Sequence, residues 1–154
     1  MKKIILSIWL MLLLYPSILK ADEQNHYCLV EAIYFEGRSE SRTGQLAIAN
    51  VILERVRQDY YPDTICEVVH EWKGYPRLNT CSFSYFCDGK KEIMYEKQAH
   101  TIAADIATLA IEGAVVENVW RATHYHTRHI NPYWVEDMFL VGTVGAHLFY
   151  ERSY

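Results

Sequence analysis

Cys28, Cys66, Cys81 and Cys87 restrict this 154-residue chain more than any other feature. An even set of cysteines in an exported chain is read as disulfides, because an oxidising compartment pairs thiols. The export reading comes from the N-terminus. Met1-Lys2-Lys3 is a positive start, Ile4 to Leu14 an apolar run, and Pro16 to Ala21 ends on a small residue suited to cleavage. That is the pattern of a secretory signal peptide over residues 1–21. The run is short for a membrane span and Pro16 interrupts it, with a retained N-terminal anchor as the alternative. Four cysteines allow three pairings, and the sequence does not choose among them. The favoured set joins Cys81 to Cys87 across a local loop and ties the first helix to a later one through Cys28 and Cys66. Irregular spacing without a Cys-x-x-Cys pair disfavours a zinc site.

Residues 22–154 are long enough for one domain with its own core. A formal net charge of −4 and the lack of a basic stripe argue against a nucleic-acid partner. They also disfavour anionic membrane surfaces, which leaves membrane contact only through an uncleaved N-terminal segment. Aromatic residues make up 14% of the chain, with 12 Tyr against 5 Phe. Such amphipathic rings suit carbohydrate contact and core packing alike.

Periodicity organises the remainder. A first helix is expected from Tyr27 to Phe35 or Gly37. A second starts at an N-cap of Ser41 or Thr43, with Ala49, Ile52 and Val56 facing inward and Glu54, Arg57 and Gln58 outside. Tyr61-Pro62-Asp63 breaks the chain before a short helix capped by Asp63 or Thr64 and carrying Ile65, Val68 and Val69. From Trp72 to Lys91 the turn formers Gly74, Pro76, Asn79 and Asp88-Gly89 predict a long stapled loop or hairpin of the kind that lines a cleft. The clearest helix is predicted over Glu92 to Glu112, stopped by Gly113. Thr123-His124-Tyr125-His126 alternates like a strand, and Leu140-Val141 with Gly142, Gly145 and His147 to Tyr150 predicts a closing hairpin. The expected fold class is helix-rich α+β, a single domain with a small late sheet segregated from the helices.

On the first helix, Leu29, Ala32 and Ile33 form an apolar stripe, and Glu36 falls next on it. Glu31 lies round the helix from that stripe, where it is expected to be solvated. A carboxyl packed against apolar neighbours resists ionisation, so its pKa rises and it can serve as a general acid near neutral pH. The position alone equally allows Glu36 to close the helix at the rim of the core and pair with Arg38 or Arg55, and structural ion pairs of that kind are the more common case. Other polar candidates cluster with it (Arg38, Glu40, Gln45), in the stapled loop (Ser82, Ser84, Asp88) and late in the chain (His124, His126, His129, Asn131, Tyr133, Trp134, His147). A metal held by His124, His126 and His147 lacks the accompanying carboxylate pattern, so the histidines are expected to be hydrogen-bonding groups of a polar cleft, with no metal or other cofactor. Export disfavours a Cys-His nucleophile, and neither Ser82 nor Ser84 sits in a nucleophile elbow.

The order of short blocks carries a resemblance. Glu36-Gly37-Arg38-Ser39-Glu40, Gly44-Gln45-Leu46-Ala47-Ile48-Ala49-Asn50, Tyr61-Pro62-Asp63-Thr64-Ile65-Cys66, Cys81-Ser82-Phe83-Ser84 with Cys87-Asp88-Gly89, and Thr123-His124-Tyr125-His126 through Asn131-Pro132-Tyr133-Trp134 to Gly145-Ala146-His147-Leu148-Phe149-Tyr150 resemble the SleB-type cell-wall hydrolases, the spore cortex-lytic enzyme family. The likeness covers nearly all of residues 22–154. It implies a lysozyme-like catalytic domain that cleaves peptidoglycan between N-acetylmuramic acid and N-acetylglucosamine. The family's catalytic glutamate, the first acid of its Glu-Ala-Arg-Gly-Glu block, falls on Glu36. Ser84, His126, Tyr133, Trp134 and Tyr150 would line the glycan cleft, and Glu40, Gln45 and His124 are further substrate-binding candidates. Departures from the family pattern are Gly37 for Ala, Ser39 for Gly, Glu54 for Asn and Ser82 for Gln.

No second carboxylate shares the apolar setting of Glu36, so the resemblance implies a lytic transglycosylase in which Glu36 acts as acid and then base. Alternatives are a muramidase that uses Glu40 or Asp88 to direct water, a zinc-dependent amidase on the histidines, and a non-catalytic peptidoglycan-binding module. The expected partner is the peptidoglycan glycan strand, met by a monomer in the periplasm or at the cell wall, whether the owner remodels its own wall or is a phage lysing its host.

Overall fold

Seven consecutive residues of α1 (22–37), Cys28 to Tyr34, are buried. A helix buried on every side in its middle is a central helix rather than a surface one. The computed structural model describes residues 22–72 and 81–152. The signal-type segment and part of the stapled loop, with Gly74, Pro76 and Asn79, lie outside them. α1 starts earlier than its periodicity predicts, because its first turn is polar and carries no stripe.

Ser41 caps α2 (Arg42–Arg57) by accepting a hydrogen bond from Gly44 N at 3.2 Å, which satisfies one of the free amides of the first turn. α2 divides its apolar side chains between two cores. Ala49 and Ile52 join α1, α3 and α4, whereas Ala47 and Val51 join Val119, Ala122 and Phe149 beneath the sheet. Asn50 pins the chain beyond α4 by donating to Ala114 O at 3.0 Å and accepting from Val116 N at 2.9 Å. Thr64 caps the five-residue α3 (Ile65–Val69), and Cys28–Cys66 ties α3 to α1. The second disulfide is Cys81–Cys87. It encloses a 3₁₀ turn at Ser84–Cys87.

α4 (Lys97–Ile111) begins later than the predicted Glu92. Residues 91–96 are held away from a helical path because Glu96 N donates to Tyr34 Oη at 3.1 Å and the Glu96 carboxylate takes Arg38 Nη1 at 3.0 Å. Gly113 stops α4 with φ +100°, a conformation that glycine adopts without strain.

The late residues form one antiparallel sheet in the order β1 (His124–Thr127), β3 (His147–Arg152), β2 (Met138–Val144). His126 is opposite Leu148 and His124 opposite Tyr150, and a bulge interrupts β2 between Leu140 and Gly142. A 3₁₀ turn, Tyr133–Asp137, precedes β2. The architecture is the helix-rich α+β fold with a small late sheet. Among the described residues no helix is long and apolar enough to cross a membrane.

Candidate active site

Glu36 lies at the C-terminal end of α1, where the helix meets the sheet. Its carboxylate accepts a hydrogen bond from Tyr125 Oη at 3.1 Å. Burial pushes the Glu36 carboxyl above its ordinary range, while the Tyr125 hydrogen bond and the positive charge of Arg55 oppose the rise. The C-terminal end of a helix carries partial negative charge, which also disfavours a carboxylate. By accessible surface the residue is only half-buried. A proton held above the normal carboxylate range on a half-buried residue suits general acid chemistry.

Strand geometry sorts the late residues into two faces. Successive side chains of a strand point to opposite sides. Tyr125, His147 and Phe149 share the face toward the helices, with Tyr125 to His147 ring centroids 5.2 Å apart and Tyr125 to Phe149 5.7 Å apart. His124, His126 and Tyr150 lie on the other face, where Trp134 packs on all three at 5.1, 5.5 and 5.6 Å. His126 Nε2 is 3.0 Å from Tyr150 Oη, and its Nδ1 is 2.8 Å from Thr127 O. The substrate candidates therefore form two groups, one with Glu36 and one around Trp134. His147 is on the opposite face from His124 and His126, and among the described residues no three His, Cys, Asp or Glu side chains converge as metal ligands.

Glu40 belongs with the first group. One carboxylate oxygen is 3.3 Å from His147 Nδ1, and the other accepts from Ala146 N at 3.4 Å. Any side chain at Gly145 would run into that carboxylate, and its φ of +57° also selects glycine. Glu40 thus fastens the β2–β3 turn to the α1–α2 turn. Burial lowers the His147 pKa, with Glu40 opposing. Gln45 is buried, donates to Glu40 O at 3.3 Å and leaves Oε1 without a hydrogen-bond partner among the described residues. Ser84 is exposed on the stapled loop, and Tyr133 is 90% exposed beside the packed Trp134.

Glu31, expected in solvent, is buried instead. Its Oε1 lies 2.9 Å from His70 Nε2 and accepts from Tyr85 Oη at 3.1 Å. A buried carboxylate needs such partners. They hold the stapled loop on α1, where Tyr85 stacks on Phe35 at 4.8 Å. Neither of the expected ion pairs to Glu36 forms in its simple version. Arg38 is turned to Glu96 and Tyr34, and Arg55 is buried with its Nε donating to Thr123 O at 2.7 Å.

Two residues that act on the Glu36 carboxyl were not among the site candidates read from the sequence. Tyr125 was legible in the alternation that places it opposite its histidine neighbours. Arg55 falls on the stripe of Ile48 and Ile52 at helical spacing, the same signal that marks Glu36.

Ser39 to Tyr150 match the sequence model of the cell wall hydrolase family. The chain belongs to the cell wall hydrolase family. The matched stretch begins just after Glu36 and takes in Glu40, Arg55, Tyr125, Trp134 and His147. Among its relatives, this family member is similar to the spore cortex-lytic enzyme of Bacillus cereus, with 29% identity over 126 residues, 79% of this chain and 42% of the relative. It therefore spans about two fifths of the length of the curated relatives it matches. Among solved structures it resembles the catalytic domain of the Bacillus cereus SleB protein, with TM-score 0.59, 26% identity, and 83% and 91% of the two chains covered. It also resembles the catalytic domain of the germination-specific lytic transglycosylase SleB from Bacillus anthracis, with TM-score 0.61, 25% identity, and 82% and 93% covered. This cell wall hydrolase thus has the fold of that catalytic domain.

Proposed function

We propose that this chain cleaves peptidoglycan at the bond between N-acetylmuramic acid and N-acetylglucosamine, as a lytic transglycosylase with Glu36 as its one acid and base. The observation that carries the reading is the half-buried Glu36 carboxyl, raised by burial and held by Tyr125. The engagement of the other carboxylates supports a single-carboxyl mechanism. Glu40 is committed to His147 and Ala146, and Glu31 to His70 and Tyr85. Asp88 bonds Lys90, whose amide hydrogen bond holds the Asp88 carboxyl below its ordinary value. A two-carboxyl hydrolase needs a second carboxylate free to direct water or attack the sugar.

In the proposed reaction Glu36 gives its proton to the glycosidic oxygen as the C1–O bond breaks. The 6-hydroxyl of the muramic acid then attacks C1, and its proton returns to Glu36. The sugar ends as a 1,6-anhydro product and the enzyme returns to its starting state. Mass spectrometry of muropeptides released from purified sacculi tests this. Products lighter by one water than the hydrolysed form are expected, and hydrated reducing ends alone would sink the transglycosylase reading.

Tyr125→Phe supplies a second test. The Tyr125 hydrogen bond lowers the Glu36 pKa, so its loss raises that pKa further. Glu36 must be protonated to act as the acid, and the alkaline limb of the rate profile should therefore move to higher pH. Turnover should fall roughly tenfold, the effect of one hydrogen bond to a charged group. An alkaline limb that stays in place or moves down counts against the assignment.

A further inference from the structure

Arg55 presents a question that packing alone does not answer. Its guanidinium is always charged, and burying such a group costs several kcal/mol unless it is well paired. Yet the residue is buried in α2 with Nη1 lacking a hydrogen-bond partner among the described residues. Its cation lies 5.3 Å over the Phe83 ring of the stapled loop and 5.5 Å over the Tyr61 ring. Its Nε donates at 2.7 Å to the carbonyl of Thr123. That residue leads into β1 and stands two positions before Tyr125, the donor to Glu36.

We infer that Arg55 is a positioning residue for Glu36, holding the strand that carries Tyr125 and placing a fixed positive charge behind the carboxylate that forms when Glu36 gives up its proton. The inference rests on Glu36 serving as both acid and base. A buried carboxyl left to itself keeps its proton, which suits the first step but hinders its release. A carboxylate left beside a close cation stays ionised, which suits only the second. A cation behind the site, with a neutral phenol in hydrogen-bond contact, allows one group to do both.

The titratable groups coupled to this pair come from several elements. Glu36 meets Tyr125 from β1 and Arg55 from α2, and its charge also reaches Tyr85 of the stapled loop. The charge of Arg55 is felt by Tyr61 after α2, Tyr125, Glu71 beyond α3, and Glu36. Burial raises Glu36, and Tyr125 and Arg55 both pull it down.

Two substitutions separate the charge from the anchor. Arg55→Gln removes the charge while its amide can still donate to Thr123 O, and Arg55→Lys keeps the charge but loses the planar guanidinium. Each is made in the full chain, with the pH profile of sacculus lysis and the titration of the ¹³C-labelled Glu36 carboxyl followed by NMR. In Arg55→Gln both the alkaline limb and the carboxyl titration should move up by about one pH unit, with turnover about tenfold lower. In Arg55→Lys both should stay close to the unsubstituted protein while turnover falls. A role confined to packing would lower melting temperatures and leave both pH readouts in place, which overturns the inference. So does an equal shift in both variants. If Arg55→Gln does not fold, Arg55→Met, which also removes the charge, is read in its place, and an unmoved carboxyl titration there overturns the inference. The NMR titration does not depend on turnover. Failure of the catalytic reading would appear as activity surviving in Glu36→Gln, whereas failure of this inference would appear as an unmoved carboxyl titration.

Discussion

Glu36→Gln is expected to abolish wall lysis, with turnover on purified sacculi reduced about 10³-fold or more, within the range that general acid–base groups supply. The amide keeps the shape and the hydrogen bond with Tyr125 but has no proton to give. The same substitution should not destabilise the fold. The folded-state pKa of Glu36 is raised, so as pH rises the unfolded chain ionises first and the native state loses relative stability. The loss accumulates from the unfolded pKa up to the folded one and is complete above both. Glutamine removes it. The melting temperature of the variant at pH 7 should therefore equal or exceed that of the unsubstituted protein, and the part of the difference due to ionisation should vanish below about pH 3, where both states of Glu36 are protonated. Turbidity clearance and thermal melts at the two pH values check both halves. Residual lysis above roughly a tenth of normal would remove Glu36 from the centre of the mechanism.

Replacing Cys28 and Cys66 together by Ala should bring the largest loss of stability in this fold. The bridge joins positions 38 apart in sequence. Loop-closure entropy over that span corresponds to about 4 kcal/mol of stabilisation, or a fall in melting temperature of roughly 10–20 °C for a domain of this size. The five-residue α3 is far too short to persist without such a tether. The Cys81–Cys87 bridge closes a separation of only 6, and its removal should lower stability by about 2 kcal/mol. That loop also holds Tyr85 against Phe35, so its loss should show more in activity than in melting. Urea titrations of both double variants check the ranking, and a smaller effect from the long-range bridge would contradict it.

Much of the site was readable before any coordinates. The stripe through Leu29, Ala32 and Ile33 marked Glu36 as a carboxyl in apolar surroundings, whereas the burial of Arg55 was not read from its own stripe. Ser41 and Thr64 are each one of the two caps the sequence offers for their helices, because capping uses only atoms within one helical turn. Gly113 stops α4 for an equally local reason. The grouping of the late aromatic residues was not readable. His124, His126 and His147 look alike in sequence, and only the register of β1 against β3 puts His147 beside Tyr125 and the other two beside Trp134.

By itself the sequence determined which segments form helices and strands, which faces of them are apolar, and that Glu36 is on such a face. It also limited the cysteines to three pairings without selecting one. Only the tertiary structure decided what stands across from each face. Cys66 is paired with Cys28 because α3 packs on α1, and Glu31 is buried because His70, 39 residues away, meets its carboxylate. α4 starts late because Tyr34 and Arg38 capture Glu96. Periodicity reports the hydropathy of a residue's own neighbours along one element. The charge, hydrogen-bond donor or ring that makes a buried carboxyl tolerable comes from another element, and its distance in sequence carries no periodic trace.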